Sequence, residues 1–135
     1  KDESKKLFDF IEKNRFADKT EVCYGCSHYL GVERERELRK WDFLCNAGVY
    51  TASVMYNGDV GACLDIERRP ETIQGNIRER SFTDIWKNEF KIFRTDYRKC
   101  GKCKKCKEYK YCAGDSYHTW DFDKMEPRFC HKDIE

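Results

Sequence analysis

The chain has 135 residues, one domain's worth of polypeptide, and 39% of them are charged. Mean hydropathy is −0.93, so apolar side chains alone build a thin core, while 15% aromatics and nine cysteines exclude a purely disordered chain. A net charge of +2 gives no general steer towards nucleic acid, and no run approaches the ~18 apolar residues of a membrane span.

No signal peptide is visible behind Lys1-Asp2-Glu3-Ser4. The chain does not begin with Met, and we expect a piece of a longer protein. Residues Ser4 to Lys13 carry Leu7, Phe8, Phe10 and Ile11 at helical spacing, which predicts a short amphipathic docking helix. Glu21-Val22-Cys23-Tyr24-Gly25-Cys26 reads as a tight knuckle. Glu33 to Lys40 is a charged run with Leu38 as its one apolar residue, which predicts a solvated helix. Val49 to Tyr56 is the best strand, and Asn57-Gly58 after it predicts a two-residue hairpin turn with Cys63 on the returning side. Leu64 to Gln74 has no period and reads as loop. Ser81 is set to cap a helix running from about Phe82 to Arg94, with Ile85, Trp86, Phe90 and Phe93 as its core stripe. From Lys87 to Lys110 ten basic residues face three acids, and from Cys100 to Cys112 little regular structure is expected. Trp120, Phe122 and Phe129 are expected to pack near the last cysteines, with His131 at the surface.

Nine cysteines leave a thiol over in any all-disulfide scheme. Clustered pairs without a secretory signal point to a reducing compartment, hence the cytoplasm, and to metal or iron–sulfur ligation. Two sites of four ligands plus one spare is the arithmetic that fits. The strongest group is Cys103, Cys106 and Cys112, with two and then five residues between them, and a later Cys130. Four thiolates suit either a 4Fe–4S cluster or a tetrahedral zinc. The second group is Cys45, twelve residues, Gly58, four residues, Cys63, where the hairpin brings two distant cysteines together.

Taken together, this spacing resembles the SPASM domain, the cysteine-rich C-terminal extension of many radical S-adenosylmethionine enzymes. Gly75-Asn76-Ile77-Arg78, then Ser81-Phe82 and Asp84-Ile85-Trp86, is similar to the linker between that family's two cysteine groups. The resemblance runs from Cys45 to Cys130, about two thirds of the chain. It implies two auxiliary 4Fe–4S clusters beside a radical-generating barrel. One would take Cys103, Cys106, Cys112 and Cys130, and the other Cys45 and Cys63. The family usually places a cysteine where this chain has Ser116, and many members have another between the positions of Cys45 and Gly58. Cys23 and Cys26 are our own choice to complete the Cys45 site, with Cys100 as a rival and His28 or His118 as a corner ligand. The radical motif C-x3-C-x2-C is absent, so this chain is not expected to cleave S-adenosylmethionine itself.

The expected fold is therefore α+β, a small, irregular, cysteine-rich and metal-stabilised domain with a β-hairpin and a few short helices. Residues 1–40 read as an N-terminal helical and linker segment with the knuckle, and 41–135 as the SPASM-like domain. The expected function is auxiliary cluster binding in an enzyme that modifies a peptide or protein, for electron transfer or substrate positioning. The expected partners are the barrel and that substrate, with no membrane. The competing class is a structural zinc-binding docking module, and zinc also suits an isolated domain purified in air. A nucleic-acid patch around Tyr97, Tyr109 and Tyr111 is the weakest reading, because the overall charge is so small.

Overall fold

A computed structural model describes residues 2–17, 19–25 and 27–133. Cys26, half of the knuckle, lies outside the described residues. The fold is α+β, with short helices and two small antiparallel sheets. Among the described residues no helix is long and apolar enough to cross a membrane.

Helix α1 (Asp2–Asn14) buries Ile11 and part of Phe8, and leaves Leu7 and Phe10 exposed. Ile11 meets Leu30 and Leu38 in a small core of its own, with Val22 and Tyr24 against it. Helix α2 (Val32–Leu38) supplies Leu38. The expectation of a solvated helix fails here. Glu35 and Arg39 are both buried and paired, one turn apart. The second Glu35 contact is the Leu30 backbone N–H, at 2.8 Å, while Arg39 donates to the carbonyls of Gly25 and His28. Removing either partner would leave a buried charge uncompensated, so the pair fixes how Gly25, His28 and Leu30 sit on α2.

The main sheet has the order β1 (Ser53–Val54), β2 (Asp59–Gly61), β3 (Ile73–Asn76). Strand β1 is far shorter than the apolar run from Val49 predicts. Residues 46–51 instead form a turn in which the Asn46 carbonyl accepts from the N–H groups of Val49, Tyr50 and Thr51. The hairpin loop holds three residues rather than two. Met55 N–H bonds Asp59 O at 2.8 Å, Gly58 N–H bonds Met55 O at 2.9 Å, and Gly58 takes φ 91°. That is a turn closed by a left-handed glycine, the usual three-residue solution. Strand β3 lies at the end of the segment read as loop. Its sequence, Ile-Gln-Gly-Asn, has neither alternation nor β-branched enrichment, and it is held by pairing with β2.

The long helix expected up to Arg94 is broken. Helix α3 (Phe82–Asn88) is capped by the Ser81 hydroxyl accepting the Asp84 N–H at 3.2 Å. Phe90 then adopts a left-handed conformation (φ 63°) before α4 (Lys91–Arg94). The break turns Phe90 fully inward between Trp86 and Phe93, and its N–H finds Gln74 Oε1 at 2.7 Å. Burying one more ring outweighs continuing a helix whose stripe would otherwise drift off the core. Helix α5 (Tyr109–Cys112), strands β4 (Trp120–Asp121) and β5 (Glu126–Pro127), and short 3-10 turns complete the chain. The main core gathers Val60, Ile85, Phe90, Phe93, Tyr117 and Trp120 with the half-buried Cys45 and Cys63 at its margin.

Gly48 carries φ 72°, and a Cβ there would lie 2.4 Å from Phe93 Cβ. Gly48→Ala is therefore expected to lower stability by more than about 1 kcal/mol. Gly25→Ala, with nothing within 4 Å of the added carbon, should stay within about 0.5 kcal/mol. Urea midpoints of the two variants check this; similar midpoints would contradict it.

Candidate metal centre

Three short elements carry the last cysteines to one place. The 3-10 turn Gly101–Cys103 holds Cys103 inward, and the next turn continues through Cys106 N–H to Cys103 O at 3.2 Å. Tyr109 N–H then bonds Cys106 O, which starts α5 and places Cys112 at its end. The β4–β5 hairpin returns the chain, and Cys130 leads into the turn His131–Asp133. The result is a cavity of about 290 Å³ whose wall includes Cys103, Cys106, Cys112 and Cys130. Among the described residues, no three His, Cys, Asp or Glu side chains are drawn together tightly enough to share one ion. The sulfurs are spread round the wall instead.

Burial pushes up the Cys103 thiol to about 11 and the Cys112 thiol to about 12. Cys130 is raised for the same reason. Neighbouring sulfurs add to the effect, since Cys106, Cys130 and Cys100 all act on Cys103. Against this stand several donors. The backbone N–H groups of Gly114 and Asp115 face the Cys112 sulfur, and that of Lys132 faces Cys130. Lys132 Nζ lies 3.4 Å from Cys106 Sγ. The backbone donors favour thiolate over thiol at Cys112 and Cys130, which is the state a metal or cluster takes.

The N–H groups at Cys112 are aimed by an unusual reversal. Ala113, Gly114 and Asp115 all have positive φ (49°, 84° and 72°). The reversal closes α5, with the Ala113 N–H on Tyr109 O at 2.7 Å and the Asp115 N–H on Cys112 O at 2.9 Å. Two non-glycine residues in the left-handed region persist only where the surroundings over-determine them. Here the surroundings do. Asp115 is buried, its Oδ1 accepts the Tyr29 N–H at 2.8 Å, and its Oδ2 lies 3.1 Å from His28 Nδ1. Arg98 holds the other side, donating to the carbonyls of Gly114 and Asp115 while its guanidinium lies 3.5 Å over the Tyr117 ring. His28 also packs on Phe129, with ring centroids 4.2 Å apart.

The remaining candidates are placed as follows. Cys45 and Cys63 are half-buried on neighbouring segments, since the Thr51 hydroxyl lies 3.2 Å from Asn46 O and 3.4 Å from Ala62 O. Cys45 lies close enough to Tyr117 to help raise its phenol, after burial as the main cause. Ser116 is buried beside Tyr117. Cys23 is exposed, in a loop tied to α2 by Tyr24 N–H to Leu38 O at 3.2 Å. Cys100 donates its S–H to Met125 O at 3.4 Å, outside the cavity wall. His118 sits on the turn Tyr117–Thr119. His131, expected at the surface, is buried: its Nε2 meets Glu108 Oε2 at 3.0 Å, and Gly31 packs against its ring. Phe129 lines the cavity, and Trp120 and Phe122 pack in the main core that also takes in Cys103, with Cys106 against it, as expected.

Residues 45–107 match the family model described as SPASM, iron-sulfur cluster-binding domain. That segment is similar to an iron–sulfur cluster-binding domain, and the likeness points to iron–sulfur binding in this part of the chain. It contains Cys45, Cys63, Cys100, Cys103 and Cys106, and the fold adds Cys112 and Cys130 to the cavity from beyond it. No curated protein and no solved structure matches the chain. Sequence reasoning did not single out Asp115, Glu108 or Lys132, because an isolated charge near a cysteine carries no spacing signal.

The donor set fits a four-iron cluster: four thiols, a shared cavity, and N–H groups aimed at sulfur. Because burial holds the Cys103 and Cys112 thiols protonated at neutral pH, loading must release protons, and uptake should strengthen as pH rises towards their raised values of about 11 to 12. Cobalt(II) titrations at pH 6.5, 7.5 and 8.5 in weak buffer check this (roughly a tenfold tightening per unit for each proton displaced). Uptake indifferent to pH would contradict it.

Proposed function

We propose that this chain is the auxiliary cluster domain of a radical S-adenosylmethionine enzyme acting on a peptide or protein. The observation that carries the reading is the cavity of about 290 Å³ walled by Cys103, Cys106, Cys112 and Cys130. A tetrahedral zinc site needs its sulfurs drawn to ~2.3 Å of one ion, and among the described residues no three ligating side chains are grouped so tightly. A 4Fe–4S cluster bound there supplies a one-electron donor or acceptor. The chain's own residues do the rest. Cys103, Cys106, Cys112 and Cys130 hold it, the 113–115 reversal directs N–H groups at one sulfur, and the apolar wall with Tyr109 and Phe129 limits water.

A second site at Cys45 and Cys63, completed by Cys23 and Cys26, is the further part of the proposal. The missing C-x3-C-x2-C motif supports assigning S-adenosylmethionine cleavage to a partner barrel rather than to this chain. A cytoplasmic setting follows from the oxygen and redox sensitivity of such clusters.

Anaerobic reconstitution with iron and sulfide, followed by iron, sulfide and zinc counts per chain, tests both parts. About eight irons supports two clusters, and about four supports the Cys103 site alone. C112A should lose about four irons from either total, whereas a paired C23A/C26A change should matter only if the Cys45 site is complete. No iron, with tightly held zinc, would favour the docking module. Removing the cluster should also unfold much of residues 100–130, read as lost near-ultraviolet circular dichroism.

A further inference from the structure

Lys132 touches two of the four sulfurs by two different groups. Its backbone N–H faces Cys130, and its ammonium lies 3.4 Å from Cys106 Sγ. The same ammonium is 3.4 Å from Glu108 Oε1. Glu108 is itself held on its other oxygen, by His131 Nε2 at 3.0 Å and the Tyr29 hydroxyl at 3.3 Å. Glu108 is thus anchored from the N-terminal segment and from the turn after Cys130, and it fixes the lysine that reaches the sulfur. The other lysines at the rim differ. Lys102 Nζ pairs with Asp133 at 3.4 Å rather than with a sulfur. Lys105 contributes to the cavity wall.

We propose that Lys132 is a potential-setting residue: its ammonium, steadied by Glu108, bonds the Cys106 sulfur and favours the reduced state of a cluster bound by Cys103, Cys106, Cys112 and Cys130. This rests on the cluster reading above. The physical reason is charge. One added electron places more negative charge on the cluster and its thiolates. A cation at hydrogen-bond distance from one of those sulfurs stabilises that state more than the oxidised one. Partial exposure of the Lys132 side chain (45%) screens the effect without removing it, because the sulfur side of the contact is the cavity wall. Lys132 acts through Cys106, so it is a positioning residue rather than a ligand.

The test uses the reconstituted full chain and a dithionite titration followed by electron paramagnetic resonance, with iron counted in every sample. Lys132→Met should keep its iron and lower the midpoint potential. A tenfold shift of the one-electron equilibrium corresponds to about 59 mV. Lys132→Arg should restore most of the potential, since a cationic donor returns. Lys102→Met removes an equal charge from the same rim and should move the potential much less. An unchanged potential in iron-replete Lys132→Met overturns the assignment, as does an equal fall in Lys102→Met, which would mean general charge rather than the sulfur contact. Loss of iron in Lys132→Met alone also counts against it, because a tuning residue is not needed for assembly. Wild-type chain that takes up no iron removes the proposal together with the cluster reading, and so separates the two failures.

Discussion

Sulfur in the wall of a cavity has to be either protonated or faced by positive charge, and this constraint organises the C-terminal half of the chain. Burial drives Cys103 and Cys112 strongly towards the neutral thiol. A fold that merely hid four cysteines would hold them inert. Here the backbone reverses through three successive positive-φ residues so that N–H groups meet Cys112, and the turn after Cys130 presents both a backbone N–H and an ammonium. The carbonyls freed by the reversal go to Arg98. The polar groups on either side of peptides 113–115 are thereby satisfied in opposite directions, which is what lets a strained stretch persist in a buried place.

Asp115 ties this arrangement to the rest of the molecule. Its carboxylate is buried, and its partners, Tyr29 N–H and His28, come from the segment that follows the knuckle. Tyr29 and His131 also stack at 5.2 Å, edge to face. The small core of Ile11, Leu30 and Leu38 and the main core around Phe90 therefore meet over a polar seam rather than over a shared apolar layer. A polar seam is specific, since each donor has one acceptor, but it contributes modestly to net stability.

Much of this was legible in the sequence. Helix α1, the Ser81 cap and the reversal at Asn57-Gly58 each rest on local chemistry and each has its place in the fold, although Leu7 and Phe10 stay exposed and the reversal takes three residues. The departures come from tertiary packing. Strand β3 has no periodic signal because it is defined by its partner β2. The helix to Arg94 breaks because burying Phe90 decides the backbone, and α2 is half-buried because Glu35 and Arg39 neutralise each other. Asp115, Glu108 and Lys132 were invisible for a related reason: each is one charge among many, and its meaning depends on residues 17 to 87 positions away.

The Asp115 clasp also makes the N-terminal region a gauge of the cavity. Tyr29 N–H and His28 reach a carboxylate that is presented only when peptides 113–115 hold their left-handed course. If that course relaxes, His28 and Tyr29 lose these partners just ahead of α2, while Tyr24, α1 and α2 keep their own small core. A protease that attacks loose chain would then cut ahead of α2. Cleavage there would report, in a stretch remote in sequence, whether the sulfur-lined cavity is formed.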